Sequence, residues 1–244
     1  MFTVTQKLKL IENCFGNYYL ANGGKDVLIV CPFCKDKGKI TSKKKYRNHI
    51  RYLKSRGLSN DHSHRFCIGV SDSYEYQNSV IFPSHDVNGD LNYFISRSID
   101  SKNHRRYKNC EVSRKEIIFR HFNLDFTKEL ILVEGVFDLT STPENSTCIL
   151  GSWLSEDYLL SKEIVKNKTP VVLCLDPDVR KKSISIMKLL NSYCVPARMS
   201  LHENKDFGDM KKDEIQYFIN NAKPFDFAQS VRYLISNINS GSMF

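Results

Sequence analysis

Two acidic clusters stand directly after short apolar runs in the middle of this chain. Glu134 and Asp138 follow one of these runs, and Asp176 and Asp178 follow the other. Wholly apolar runs that end at turn residues are typical of central strands in a parallel sheet, where ligands bind at the carboxyl ends of strands. Converging carboxylates repel one another unless a cation lies between them, and Mg²⁺ prefers such oxygen ligands. The sequence therefore predicts a site for Mg²⁺ (or Mn²⁺), whose natural partner is a phosphate.

Strands and helices alternate along the second half of the chain. The predicted strands are 130–133, 146–150, 170–175 and 193–199, and the predicted helices are 136–142, 154–166, 180–192 and 209–220. This alternation implies right-handed crossovers and an α/β fold with a parallel sheet flanked by helices. After the fourth strand, Lys205 precedes a further pair of acids, Asp206 and Asp209. Three strand ends therefore carry acids.

The segment before this alternation is basic and rich in strands. Asn88 and Gly89 lie between the apolar runs 79–83 and 91–95, which is a strong hairpin signal. Ten Lys and Arg residues stand against one acid over residues 35–56, where a helix is expected at 49–56. Because Lys and Arg neutralise phosphates, a polyanion is the expected partner. The alternative is a solvated basic face that binds nothing.

The first 43 residues are interpreted as a small N-terminal module. We expect a helix over 5–20 and a strand over 27–30, followed by Cys31 and Cys34 in a C-P-x-C knuckle that is typical of half a zinc ribbon. A complete zinc site needs four ligands, and no second motif of this kind follows. The candidates that could complete the site are Cys14, His49, His62, His64 and Cys67. His62 and His64 lie in a polar stretch that we expect to be mobile.

Length and composition exclude several classes of protein. The 244 residues are enough for one large or two small domains. No apolar run approaches the roughly 18 residues of a membrane span, and no signal peptide is apparent at the N-terminus. The scattered cysteines indicate buried thiols in a reducing compartment, so we expect a cytoplasmic protein that does not bind membranes. No phosphate-binding P-loop is present, which excludes a fused helicase.

The acidic clusters resemble the Toprim domain that is shared by bacterial-type primases, type IA and II topoisomerases and some nucleases. The matching residues are Glu134, Gly135 and Asp138, together with Asp176 and Asp178. In that family the glutamate and two aspartates gather Mg²⁺, and the glutamate also serves as an acid/base group. The resemblance implies that Glu134, Asp176 and Asp178 are catalytic and that Asp138 joins them as a Mg²⁺ ligand.

Further upstream, a series of segments resembles the primase branch of this family, in family order. These segments are 65–70, 81–97 (the "FP…D..G…F.GR" hairpin), 106–109 ("KYLNS"), 118–124 ("ELYGL") and, after the fourth strand, 205–209 (Lys-Asp-Pro-x-Asp). No single match is decisive, but the ordered set is specific. The chain therefore resembles DnaG-like primases, and most of all the single-purpose primases of bacteriophages.

This resemblance implies synthesis of short RNA primers on single-stranded DNA from ribonucleoside triphosphates. A separate replicative helicase is the expected partner, in the host cytoplasm if the chain is viral. Residues expected to bind template and nucleotide are Arg97, Arg106, Lys108, Asn109 and Lys205, with Asp206 and Asp209 as supporting acids and Zn²⁺ at Cys31 and Cys34. The expected domains are 1–43 (zinc-ribbon-like), 44–125 (basic subdomain), 126–222 (Toprim) and 223–244 (helical tail).

Two other functions stay open at this point. A Toprim nuclease would share the acidic crevice and cleave DNA rather than join nucleotides, but it needs no ribonucleotide site. A non-catalytic DNA-binding module with a decayed site is the second alternative, which the incomplete zinc motif favours and the intact acids oppose. We do not expect a topoisomerase, because the 244 residues of this sequence are too few to form a strand-passage gate.

Overall fold

The computed structural model describes residues 18–21, 26–29, 46–71, 73–202 and 207–224, and four isolated positions beyond them. The chain divides into two compact units. The first comprises Met1–Val112 and Arg120–Phe122, and the second comprises Ser113–Phe119 and Asn123–Phe244. Cys31, Cys34, Lys205 and Asp206 lie outside the described residues. Within the described part, no helix has the length and apolar character needed to cross a membrane.

Two short strands open the described part of the first unit. Strand β1 (Tyr18–Ala21) pairs antiparallel with β2 (Asp26–Ile29). The predicted strand at 27–30 is therefore confirmed for its described residues. The predicted helix over 5–20 is wrong at its end, where a Tyr-Tyr-Leu sequence lies in β1; aromatic residues favour strands over helices.

Two helices follow in the first unit. Helix α1 (Arg47–Ser55) confirms the predicted helix to within two residues, whereas α2 (Asn60–Arg65) replaces the stretch that was expected to be mobile. Ser59 begins α2 with a reciprocal cap: its N–H donates to His62 Nδ1 over 3.1 Å, and its side chain accepts from the His62 N–H. Two otherwise unsatisfied helix N–H groups are thereby bonded, which explains the order of this polar segment.

The predicted hairpin is confirmed. Strands β3 (Gly69–Val70), β4 (Ser79–His85) and β5 (Leu91–Ser98) form an antiparallel sheet in that order. In the turn, Asp86 Oδ1 accepts hydrogen bonds from the N–H groups of Asn88 and Asp90. Gly89 has a φ of +87°, a conformation that glycine adopts without strain.

The second unit is built on a five-stranded sheet. Its strands are β6 (Leu130–Val133), β7 (Ser146–Cys148), β8 (Val171–Cys174), β9 (Ala197–Met199) and β10 (Lys223–Pro224), in the order β10-β9-β8-β6-β7. All pairings are parallel except that of β10 with β9. The central strands β6 and β8 are buried throughout, so the predicted α/β fold with a parallel sheet is confirmed.

Within the described ranges 123–202 and 207–224, four helices accompany this sheet. They are α3 (Val136–Ser141), α4 (Leu159–Asn167), α5 (Arg180–Ser192) and α6 (Lys212–Asn220). The prediction for α5 is confirmed residue for residue. α4 begins five residues later than predicted, because Ser155 Oγ bonds Asp157 in a turn of its own. β9 begins four residues later than predicted, because Cys194 has a left-handed φ of +53° directly after α5.

Candidate active site

The pairing of β6 with β8 brings three carboxylates together. Glu134 directly follows β6, and Asp176 and Asp178 follow β8, which lies beside it in parallel register. One oxygen of each carboxylate lies within 4.8 Å of the other two. Glu134 and Asp176 are half-buried and Asp178 is exposed, so the group is open to solvent on one side. The structure thus gathers the three residues that were predicted to be catalytic.

The donor set of this cluster fits a divalent cation. Mg²⁺ binds oxygens at about 2.1 Å, so oxygens on opposite sides of one ion are about 4 Å apart. The spacing of at most 4.8 Å needs only a small side-chain adjustment to reach this arrangement. One oxygen each of Glu134 and Asp176 is shielded from water, where a negative charge is costly without a nearby cation. Glu134, Asp176 and Asp178 therefore form a site that could hold a divalent cation.

Asp178 reaches the cluster because of the turn that carries it. Asp176 has extended backbone, and Pro177–Val179 then form a 3₁₀ turn that runs directly into α5. Proline is well suited to the first position of such a turn, because the N–H that it lacks has no helical partner there. The turn places both aspartates at the same strand end.

Asp138 occupies a different place from the three clustered acids. Its Oδ2 accepts a hydrogen bond from the Gly135 N–H (2.9 Å), and its Oδ1 accepts one from the Gly208 N–H (3.0 Å). A Cβ on Gly208 would lie 2.9 Å from Oδ1, and one on Gly135 would lie 3.3 Å from Oδ2. The two glycines therefore provide space for this carboxylate, and the φ of Gly135 is an ordinary −127°. Asp138 links the turn after β6 to the 3₁₀ turn Phe207–Asp209.

His202 lies just before that turn. It is 2% exposed, and its Nδ1 is 3.2 Å from Ser200 Oγ. Its ring packs edge-on against Phe207, with the ring centroids 4.7 Å apart. Burial, and to a smaller extent the positive charge of Arg180, lower the pKa of His202 to about 4. His202 is therefore neutral at physiological pH, and no sequence signal distinguished it from a surface histidine.

Four of the five predicted nucleic-acid residues, Arg97, Arg106, Lys108 and Asn109, lie on or beside β5 of the first unit. The segment 106–110 runs beside β5, with the Ser98 N–H donating to the Arg106 carbonyl and the Lys108 N–H donating to the Ser96 carbonyl. Asn109 Oδ1 accepts from the Ser96 N–H, so this side chain fixes the segment to β5. Arg106 and Lys108 line a cavity of about 180 Å³ with Arg105, Glu75 and polar side chains.

Arg97 projects from β5 between two aromatic residues. Its Nε donates to the Tyr52 hydroxyl over 3.2 Å, and its guanidinium carbon lies 4.4 Å from the centre of the Tyr107 ring. Such stacking orients a guanidinium without neutralising its charge. Lys108 differs, because it forms an ion pair with Glu75. Sequence reasoning missed Glu75, since nothing local marks a partner 33 positions away.

Three other zinc candidates of the described region, His49, His62 and Cys67, have partners of their own. His49 is buried, with Nε2 2.9 Å from the Gln77 carbonyl, and burial lowers its pKa while this contact opposes the shift. His62 caps α2, and Cys67 Sγ lies 3.7 Å from the His64 carbonyl. Among described residues, the only cluster of potential ligands is that of Glu134, Asp176 and Asp178. Cys31 and Cys34 lie outside the described residues, so zinc binding there stays a prediction.

The fold is that of the DnaG primase catalytic core. A structure of the DnaG primase catalytic domain bound to single-stranded DNA superposes with a TM-score of 0.63 at 16% identity, over 75% of this chain and 74% of that one. The Aquifex aeolicus primase, with zinc-binding and RNA polymerase domains, gives 0.64 at 21% identity, over 83% of this chain and 61% of that one.

Sequence comparison finds similarity to proteins named DNA primase. The DNA primase of Mycoplasma genitalium is 30% identical over 148 residues, which are 55% of this chain and 24% of that protein. The DNA primase of Mycoplasma pneumoniae is 28% identical over 130 residues, 48% of this chain and 21% of that protein. The chain thus matches less than a quarter of the length of these curated relatives. No protein-family model matches the sequence.

Proposed function

We propose that this chain is a DNA primase that makes short RNA primers on single-stranded DNA by metal-dependent nucleotidyl transfer. The observation that carries the proposal is the carboxylate cluster of Glu134, Asp176 and Asp178 at adjacent strand ends of a DnaG-type fold. Relatives named DNA primase support the activity. A single-stranded DNA template is supported by the DNA-bound DnaG structure.

In the proposed reaction, the 3′-hydroxyl oxygen of one nucleotide forms a bond to the α-phosphorus of the next. The bond from that phosphorus to the pyrophosphate leaving group breaks, and the hydroxyl proton passes to a base, for which the half-buried Glu134 is our candidate. A divalent ion held by the three carboxylates would neutralise charge on the triphosphate. Most of the remaining barrier is lowered by positioning, because phosphoryl transfer needs little covalent chemistry from the protein.

The basic residues of the first unit are proposed to hold the template and the incoming ribonucleotide. Arg97 keeps its positive charge while two tyrosines orient it, which suits a phosphate contact. Arg106 lines the polar cavity with Arg105. Three roles stay predictions: nucleic-acid or nucleotide binding by Lys205, and the supporting roles of the acids Asp206 and Asp209. We also still predict a separate helicase partner, a bacteriophage origin and a cytoplasmic location.

A primer-synthesis assay tests this proposal. Purified protein is mixed with single-stranded DNA of varied sequence, labelled ribonucleoside triphosphates and Mg²⁺, beside Glu134→Gln and, as a matched control, Glu144→Gln. Glu144 is an exposed acid outside the cluster. We expect short RNA products that disappear in Glu134→Gln and after chelation of Mg²⁺, but persist in Glu144→Gln. Degradation of the DNA would indicate a nuclease instead, and salt-sensitive binding without either reaction would indicate a binding module.

A further inference from the structure

The chain contains a single tryptophan, Trp153, and its side chain is exposed in the loop that follows β7. The indole is 49% exposed, although the next residue, Leu154, is 2% exposed and anchors the same loop in the core. Lone exposed apolar residues are common on protein surfaces and need no function. Trp153 differs from such residues in two respects. Hydrogen bonds fix its loop to neighbouring elements, and two basic side chains contact that loop.

The loop 149–153 leaves the carboxyl end of β7 and is fixed to both elements that carry the acids. The Gly151 N–H donates to the Glu134 carbonyl over 3.4 Å, which ties the loop to the end of β6. Lys182 Nζ donates to Ser152 Oγ over 2.6 Å from the first turn of α5, the helix that directly follows Asp178. Trp153 is therefore presented at the border of the candidate active site.

Two cations flank the loop without an acidic partner. Arg114 Nη1 donates to the Leu150 carbonyl over 2.6 Å, and it lies over Gly151, where a Cβ would be 2.8 Å from that nitrogen. Arg114 and Lys182 are exposed, and within the described part of the chain neither forms an ion pair with a carboxylate. The nearby acids Asp157 and Glu156 bond Lys115 and the Tyr193 hydroxyl. Two basic side chains thus contact the loop that carries Trp153.

We infer that Trp153 stacks on a base of the single-stranded DNA template, while Arg114 and Lys182 contact the adjoining phosphates. An exposed aromatic ring beside basic side chains is how proteins bind single strands without reading sequence, because every base has a π-face. The loop backbone is already held in a left-handed conformation at Leu150, with φ at +58°. Together with the hydrogen bonds of Gly151 and Ser152, this fixes the loop backbone before a strand binds, which lowers the entropic cost of binding. This inference rests on the proposed function, since it assigns the strand to the template.

The experiment uses Trp153 as its own reporter. The full chain is titrated with an unlabelled oligodeoxythymidylate while the indole emission is recorded. The same oligonucleotide labelled with fluorescein reports binding independently through its anisotropy. We expect quenching that saturates together with the anisotropy. Trp153→Ala should weaken oligonucleotide binding about 5- to 150-fold, the range for loss of one stacked base, and Trp153→Phe should recover most of the affinity. Tyr217→Ala, which removes an exposed aromatic from α6, is the matched control and should bind normally.

Three results would overturn the inference: no binding, unchanged emission at saturating oligonucleotide, or equal affinity of Trp153→Ala and the unchanged chain. Quenching by Mg²⁺–ATP but not by the oligonucleotide would also overturn it, because the base would then belong to the nucleotide. The Glu134→Gln variant separates this question from catalysis. Quenching that persists in Glu134→Gln would show that the contact does not depend on catalysis. If the unchanged chain makes no primers but is still quenched by the oligonucleotide, Trp153 stays a DNA contact and only the proposed polymerase activity is refuted.

Discussion

The contact between Asp138 and Gly208 gives a prediction whose size follows from the structure. Asp138→Ala removes the acceptor of two backbone N–H groups, at 2.9 and 3.0 Å. Hydrogen bonds to a charged group contribute about 1.5–3 kcal/mol each, and this carboxylate is half-buried, so we expect a loss of about 2–4 kcal/mol of stability. Gly208→Ala places a methyl group 2.9 Å from Oδ1 and should cost about 1–3 kcal/mol by overpacking.

The double variant tests whether both changes act through one contact. Without the carboxylate, the methyl group at position 208 has room, so the double variant should be less destabilised than the sum of the two single ones. We expect a coupling of about 1 kcal/mol or more, as for residues in direct contact. Glu144→Ala is the control, because Glu144 is an exposed acid of the same unit that lies outside this contact.

Urea unfolding followed by Trp153 emission is the suitable assay. Trp153, Asp138 and Gly208 belong to the same compact unit, so the midpoint reports on the unit that contains the contact. Primer synthesis should fall in the same variants, since the turn that they disturb adjoins Glu134. Strict additivity of the two stability changes, or an unchanged midpoint for Asp138→Ala, would refute the reasoning.

Two further predictions concern pH and salt. The pKa of His202 is lowered to about 4 in the folded chain from an ordinary value of 6.5, so the unfolded chain binds more protons between these values. Stability should therefore be fully present above pH 6.5 and fall by up to about 3 kcal/mol as the pH decreases towards 4. His202→Gln should flatten this part of the profile in urea melts, and an unchanged profile would contradict the assignment. Arg106→Gln should reduce the slope of log Kd against log salt for single-stranded DNA by about 0.7, the value for one lost phosphate contact; an unaltered slope in an anisotropy titration would show that Arg106 does not contact the strand.

The main elements and the class of fold follow from local patterns in the sequence. The apolar runs before Glu134 and Asp176 are too short and too uniform for amphipathic helices, and they are the buried strands β6 and β8. Because parallel strands end at one edge of a sheet, acids that follow two of them were predictable as a cluster. The Asn88-Gly89 hairpin was likewise predictable, since its turn chemistry is local.

Which of these acids lie together, and which residues contact them, depends on how distant segments of the chain pair and pack. β8 pairs directly with β6, which brings Glu134 to Asp176 and Asp178, whereas Asp138 bonds Gly208, 70 positions along the chain. No nearby residue in the sequence indicates that Gly208 leaves space for Asp138. The same is true of the hydrogen bond from Lys182 to Ser152 in the loop that carries Trp153. Periodicity and turn chemistry act between residues a few positions apart, but contacts between distant segments depend on strand order and packing.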